Sequence, residues 1–216
     1  MLRIMLPPEG GPALELVAQV LRSGRVAVVP SDTLYGFSAC YDRPDAIQRI
    51  TVLKGRGEPG GSDAAPFLIL VASLSQLACL TSSPPPKAVA ELVWPGAVTL
   101  LLPARPDLLP QLRGPEGTVA VRWPNDRFLI ELLSRVEAPI ISTSVNRRGE
   151  PPLGDPNEIE RSFGGAIDLL ADVGPRKDVV PSTIVDLTRR PPVVVRQGRA
   201  RIDVDRLDQL LSGGDS

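Results

Sequence analysis

The sequence predicts an α/β fold built on a twisted sheet, and two observations carry that reading. Runs rich in valine, isoleucine and leucine alternate with stretches of helical periodicity, the pattern of a sheet packed against helices. The chain has 216 residues, 43% of them hydrophobic, and balances 24 basic against 25 acidic groups, which gives enough apolar material for a real core in one unit.

The apolar runs place strands at 2–6, 25–29, 67–71, 97–103, 118–122, 139–143, 183–187 and 192–196. Helical periodicity places helices at 12–22 and 44–54, where Pro12 and Pro44 suit the first helical position, and at 86–93, 125–135 and 156–162. We read residues 1–211 as one domain and expect the tail at 212–216 to fray.

Composition removes much of the enzyme repertoire. With no histidine, every Ser-His-Asp or Cys-His triad, every histidine-ligated metal and every histidine pH switch is excluded. Cys40 and Cys79 are too few for a disulfide framework or a four-thiolate zinc site, and their apolar surroundings predict two buried core residues. No resident metal site is expected. Residues 1–21 contain Arg3, Glu9 and Glu15 and no long apolar run, so neither a signal peptide nor a membrane span is expected, and a cytoplasmic location follows as the expectation. The net charge of −1 gives no overall drive toward nucleic acid. Only three lysines occur, Lys54, Lys87 and Lys177, which singles out a lysine within a motif.

The segment 55–60, G-R-G-E-P-G, formally matches the dinucleotide fingerprint, but it follows a predicted helix and contains Pro59, so the strand-turn-helix context is missing. A Walker-type loop is also lacking, so side chains would have to hold any triphosphate. Three hydroxyl clusters sit at strand ends instead: Ser31 and Thr33 after the second strand, Ser142 to Ser144 before Asn146, and Ser182-Thr183. Each alone fits a turn cap; together they fit a polar ligand. Lys54 and Arg56 end a helix, where a cation is favoured anyway, whereas Arg122 and Arg196 end apolar strands, positions suited to carboxylate or phosphate. Trp94 and Trp123 are read as packing anchors, and Asp32 as the residue that fixes the Ser31 turn, with an outer-sphere magnesium contact as its alternative.

In this order, Pro30 to Gly36, Lys54-Gly55-Arg56, Trp94-Pro95-Gly96, Thr118 to Arg122, Ser142 to Asn146, Ser182 to Asp186 and Arg196-Gln197-Gly198 resemble the threonylcarbamoyl-AMP synthases, the YrdC-like proteins. The resemblance spans residues 12 to 200. It implies a twisted mixed sheet flanked by helices, with one open, positively charged cavity. It also implies condensation of L-threonine, bicarbonate and ATP, with magnesium, to threonylcarbamoyl-AMP and pyrophosphate. A separate tRNA threonylcarbamoyl transferase complex would receive the product. By resemblance, Lys54 and Arg56 are catalytic; Lys54, Arg56, Thr118, Ser144, Asn146 and Arg196 hold ATP; Ser31, Thr33, Arg122, Ser142 and Ser182 frame threonine. The chain resembles the single-domain type.

Several positions depart from the family pattern: Ser31 replaces the usual threonine, Phe37-Ser38 the usual Leu-Gly, and Ala65, Leu70 and Pro152 stand where asparagine, histidine or a hydroxyl is common. The segment 57–65, rich in glycine, reads as a longer loop and a candidate lid. Two alternatives follow: a YrdC-like paralogue with a different acyl acceptor, and a non-catalytic module contacting tRNA or double-stranded RNA. Against the second, aromatic residues make up only 4%, which offers no stacking platform.

Overall fold

The computed structural model describes residues 1–7, 11–32, 34–55, 66–176 and 180–213. Among these described residues, ten strands form one mixed sheet: β1 (Leu2–Met5), β2 (Ala27–Pro30), β3 (Tyr35–Cys40), β4 (Leu68–Leu70), β5 (Val98–Pro103), β6 (Thr118–Arg122), β7 (Ile140–Ser144), β8 (Leu169–Asp172), β9 (Thr183–Asp186) and β10 (Val193–Arg196). Their spatial order is β1-β8-β2-β3-β7-β4-β6-β5-β9-β10. The pairs β1–β8, β2–β8, β4–β6 and β5–β9 are parallel, and the other pairs are antiparallel.

The helices are α1 (Leu14–Arg22), α2 (Pro44–Lys54), α3 (Leu74–Ala78), α4 (Lys87–Val93), α5 (Arg127–Val136), α6 (Pro156–Phe163) and α7 (Val204–Ser212). Local chemistry sets their ends. Pro44 occupies the first turn of α2, and Gly55 closes that helix in the left-handed region at φ 62°. Asp126 caps α5 by accepting the Leu129 N–H, and Asp155 caps α6 by accepting the Asn157 N–H.

Strand alternation divides the core in two. Val28 on β2, Phe37 on β3, Ile141 on β7 and Leu170 on β8 point to one face, where α2, α4, α6 and α7 cover them with Ile47, Val89, Phe163 and Leu207. Ala27, Val29, Ile140 and Leu169 point to the other, under Leu14, Leu21, Phe128 and Leu132 of α1 and α5. These two helices cover only the β1 side of that face. Farther along, Leu68, Ala120, Leu101 and Ile184 on β4, β6, β5 and β9 line an open cavity.

The structure changes several expectations. The stretch Tyr35–Cys40 is a strand with all six residues buried, although its glycine and serine suggest a turn; a neighbour on each side supplies its pairing. β8, α3 and α7 are further elements. Helix α1 starts at Leu14, two residues after Pro12. Cys79 is exposed at the end of α3, not a core residue, because its side chain lies on the helix's solvent side; Cys40 is buried, and burial pushes its thiol up to about 11. Trp94 is a packing anchor, its indole donating to Val98 O at 2.8 Å. Helix α7 reaches Ser212, and residues 214–216 lie outside the described residues. Among the described residues, no helix is long and apolar enough to cross a membrane.

Candidate active site

The cavity measures about 730 Å³ and opens on the sheet face that α1 and α5 leave bare. Its polar lining comes from strand ends. Ser142 and Ser144 close β7, Arg122 closes β6, Arg196 closes β10, and Ser182 stands just before β9. Ser31 adds a hydroxyl after β2, and Lys54 reaches in from the last turn of α2. Three cations therefore line it, and no acidic side chain does so among the described residues.

Lys54 is 6% exposed, so its ammonium must be satisfied inside the protein. Its Nζ donates to Ser144 O at 2.8 Å and to Asn146 Oδ1 at 2.5 Å, and Ser144 Oγ donates to the same Oδ1 at 2.6 Å. Asn146 in turn donates from Nδ2 to Arg147 O and Glu150 O at 3.0 and 2.7 Å, which fixes the loop after β7. One asparagine thus couples the lysine to that loop. The Gly36↔Ser144 pairing brings β3 against the same point, where a Cβ on Gly36 would stand 2.6 Å from Ser142 Oγ.

Arg196 donates to Ser182 O at 2.9 Å and has no carboxylate partner among the described residues; burial pushes its guanidinium down from its usual range. It remains a cation available to an anion. Ser182 Oγ lies 2.8 Å from Thr99 Oγ1, a buried hydroxyl pair on the cavity wall. Gly198 is packed so closely that a Cβ would meet Pro181 O at 2.2 Å, which sets the Arg196 end of β10 over Ser182. Arg122 is 2% exposed, with Nε donating to Gly96 O at 2.8 Å and one Nη paired with Asp32.

Seven of the residues expected from sequence line this one cavity: Ser31, Lys54, Arg122, Ser142, Ser144, Ser182 and Arg196. Asn146 stands behind Lys54. Thr118 is not among the described lining residues; its hydroxyl donates to Pro115 O at 3.0 Å and holds the turn before β6. Thr33 and Arg56 lie outside the described residues, as do Ala65 and the 57–65 segment. Asp32 does not fix the Ser31 turn: Ser31 Oγ does that itself, donating to Leu34 O at 2.7 Å and accepting the Leu34 N–H. Leu70 is 1% exposed and belongs to the core beneath α1 and α5, so its departure does not reach the cavity lining, whereas Pro152 does line it. Thr99 is a lining residue missed in the sequence; a single hydroxyl in an apolar strand was its only signal.

The Sua5/YciO/YrdC family model, described as telomere recombination, matches residues 19–198. The chain belongs to this family. It is 34% identical to the threonylcarbamoyl-AMP synthase of Pyrococcus abyssi over 86% of its own length, and 36% identical to that of Nitrosococcus oceani over 80%. It spans 92% of the Nitrosococcus protein but only 54% of the Pyrococcus protein and 54% of a similar Bacillus subtilis synthase. Among solved structures, P. abyssi Sua5 complexed with L-threonine superposes with a TM-score of 0.84 at 30% identity, covering 99% of this chain and 62% of that one. E. coli YciO shares the fold, with a TM-score of 0.81 at 23% identity, and covers 94% of this chain and 99% of that one.

Proposed function

We propose that this chain is an L-threonylcarbamoyl-AMP synthase, a nucleotidyltransferase that condenses L-threonine, bicarbonate and ATP. The observation that carries the reading is the convergence of Lys54, Arg122 and Arg196 with the Ser31, Ser142, Ser144 and Ser182 hydroxyls on one cavity, in a chain of the Sua5/YciO/YrdC family. The P. abyssi relative, solved with L-threonine, supports the amino-acid substrate.

The chemistry suits these residues. Threonine's amine and bicarbonate form a carbamate with loss of water; a carbamate oxygen then bonds to the α-phosphorus of ATP as the bond to the pyrophosphate oxygen breaks. No covalent protein nucleophile is needed, so the absence of histidine is no obstacle. Lys54, held by Ser144 and Asn146, and Arg196, over Ser182, offset charge on the phosphates; Arg56 and Thr118 are assigned to the nucleotide by resemblance only. Arg122 takes the threonine carboxylate, with Ser31, Ser142 and Ser182 around the rest of that substrate; Thr33 is assigned there by resemblance only. Magnesium would enter bound to the phosphates of the nucleotide substrate.

The single sheet supports treating residues 1–211 as one domain; its cytoplasmic location, and a tRNA threonylcarbamoyl transferase complex that consumes the product, are assigned by resemblance only. The test is pyrophosphate release from ATP with bicarbonate and magnesium, comparing threonine, serine and no amino acid. Threonine-dependent release is expected. Release independent of amino acid, or none from a protein that binds ATP, would overturn the assignment in favour of a paralogue with another acceptor.

A further inference from the structure

Arg122 ends β6 almost completely buried, and a guanidinium carries five N–H donors in one rigid plane. Two of its nitrogens are anchored by the protein, Nε on Gly96 O and one Nη on Asp32 Oδ2. The other terminal nitrogen, Nη1, makes no hydrogen bond among the described residues, and Arg122 lines the cavity. The plane of the fork is therefore set from behind, with one donor edge left for a ligand.

Asp32 is unusual on its own account. Its side chain is 16% exposed, and its Oδ1 is buried without a hydrogen-bond partner among the described residues. An aspartate kept for its turn would spend its oxygens on nearby N–H groups, yet the Ser31 hydroxyl already makes that turn's bond with Leu34. Arg176 holds the same loop from the other side by donating to Ser31 O. The carboxylate's one polar contact among the described residues is Arg122.

We propose that Asp32 is a positioning residue that aims the Arg122 guanidinium at the carboxylate of the amino-acid substrate; this rests on the synthase reading above. Asp32 neutralises the buried cation while the site is empty and fixes the plane of the fork, so that a planar carboxylate meets donors already oriented. Binding of the amino acid then depends on Asp32 through Arg122, whereas the nucleotide, held by Lys54 and Arg196 elsewhere in the cavity, does not.

The test compares wild type with Asp32→Asn, Asp32→Ala, Arg122→Ala and the Asp32→Ala/Arg122→Ala double variant. It reads KM for threonine and for ATP, kcat, and the preference for threonine over threoninamide, which lacks the carboxylate. Asp32→Ala is expected to raise KM for threonine about tenfold, with kcat and KM for ATP within about threefold of wild type, and to narrow the preference over threoninamide. Asp32→Asn, which keeps an acceptor oxygen and the volume, is expected to fall between and serves as the arm if Asp32→Ala does not fold. The double variant is expected to match Arg122→Ala within about twofold, because the two residues act as one unit. Additive effects in the double variant, an equal rise in KM for ATP, or an unchanged KM for threonine in both Asp32 variants would overturn the proposal. Calorimetry separates it from the synthase reading: if wild type binds threonine without turning over, the reaction is wrong and the same comparison is read from Kd. No threonine binding by wild type would overturn both.

Discussion

Lys54 shows how one side chain can serve both the fold and the chemistry. A buried ammonium is costly unless its protons are used, and here Ser144 O and Asn146 Oδ1 take them. Lys54→Met keeps the apolar stem and deletes the charge. It is expected to leave a folded protein, destabilised by about 1–3 kcal/mol in urea unfolding, with turnover reduced at least about a hundredfold. Turnover near that of wild type would remove Lys54 from the phosphate site. The sequence singled this residue out by scarcity, three lysines in 216 residues, and by its place before Gly55. Its bond to Asn146 was not legible, because the two residues are 92 positions apart and meet only once α2 and β7 share a sheet end.

At the scale of elements, strand ends build the site and caps and close packing hold them. Burial pushes the Asp126 carboxyl above the usual range, and the nearby Asp32 charge adds to this, while the Leu129 hydrogen bond and the Arg176 and Arg122 charges oppose it. With the folded value above the unfolded one, the fold binds more protons, so Asp126 lowers stability as pH rises from the unfolded value through the folded one. Asp126→Asn keeps an acceptor for the Leu129 N–H without the charge; relative to wild type it is expected to gain stability between pH 4 and pH 7 in urea titrations. Asp126→Ala loses the cap and is expected to cost about 1 kcal/mol at pH 4, a cost that shrinks toward pH 7 because the same buried carboxyl is removed. A relative loss by Asp126→Asn over this range would contradict the burial account. Gly198 tests the far wall. A methyl there would collide with Pro181 O and Ser182, so Gly198→Ala is expected to push the end of β10 outward, weaken nucleotide binding by about tenfold and cost about 1–3 kcal/mol. Unchanged nucleotide binding, measured by calorimetry, would show that Arg196 over Ser182 is not part of that site.

Across the whole molecule, periodicity revealed most strands and helices because burial imposes it directly. Tyr35–Cys40 escaped because Gly36 and Ser38 look like turn residues when read locally, whereas β2 and β7 on either side make them strand. Cys79 was misread for the complementary reason: apolar neighbours do not say which side of a short helix faces water. The cavity was legible only as a set of strand-end residues scattered over 166 positions from Ser31 to Arg196; the sheet order β7-β4-β6-β5-β9-β10 is what makes them neighbours. The uncovered half of one sheet face is thus the structural basis for proposing one site for all three substrates. The most direct test of that claim is incubation with ¹³C-bicarbonate, threonine and MgATP, followed by mass spectrometry of nucleotide products. The account expects a labelled species containing threonine, one bicarbonate carbon and AMP, formed only when all three substrates are present. An unlabelled threonine–AMP adduct, or nucleotide products that ignore threonine, would contradict it.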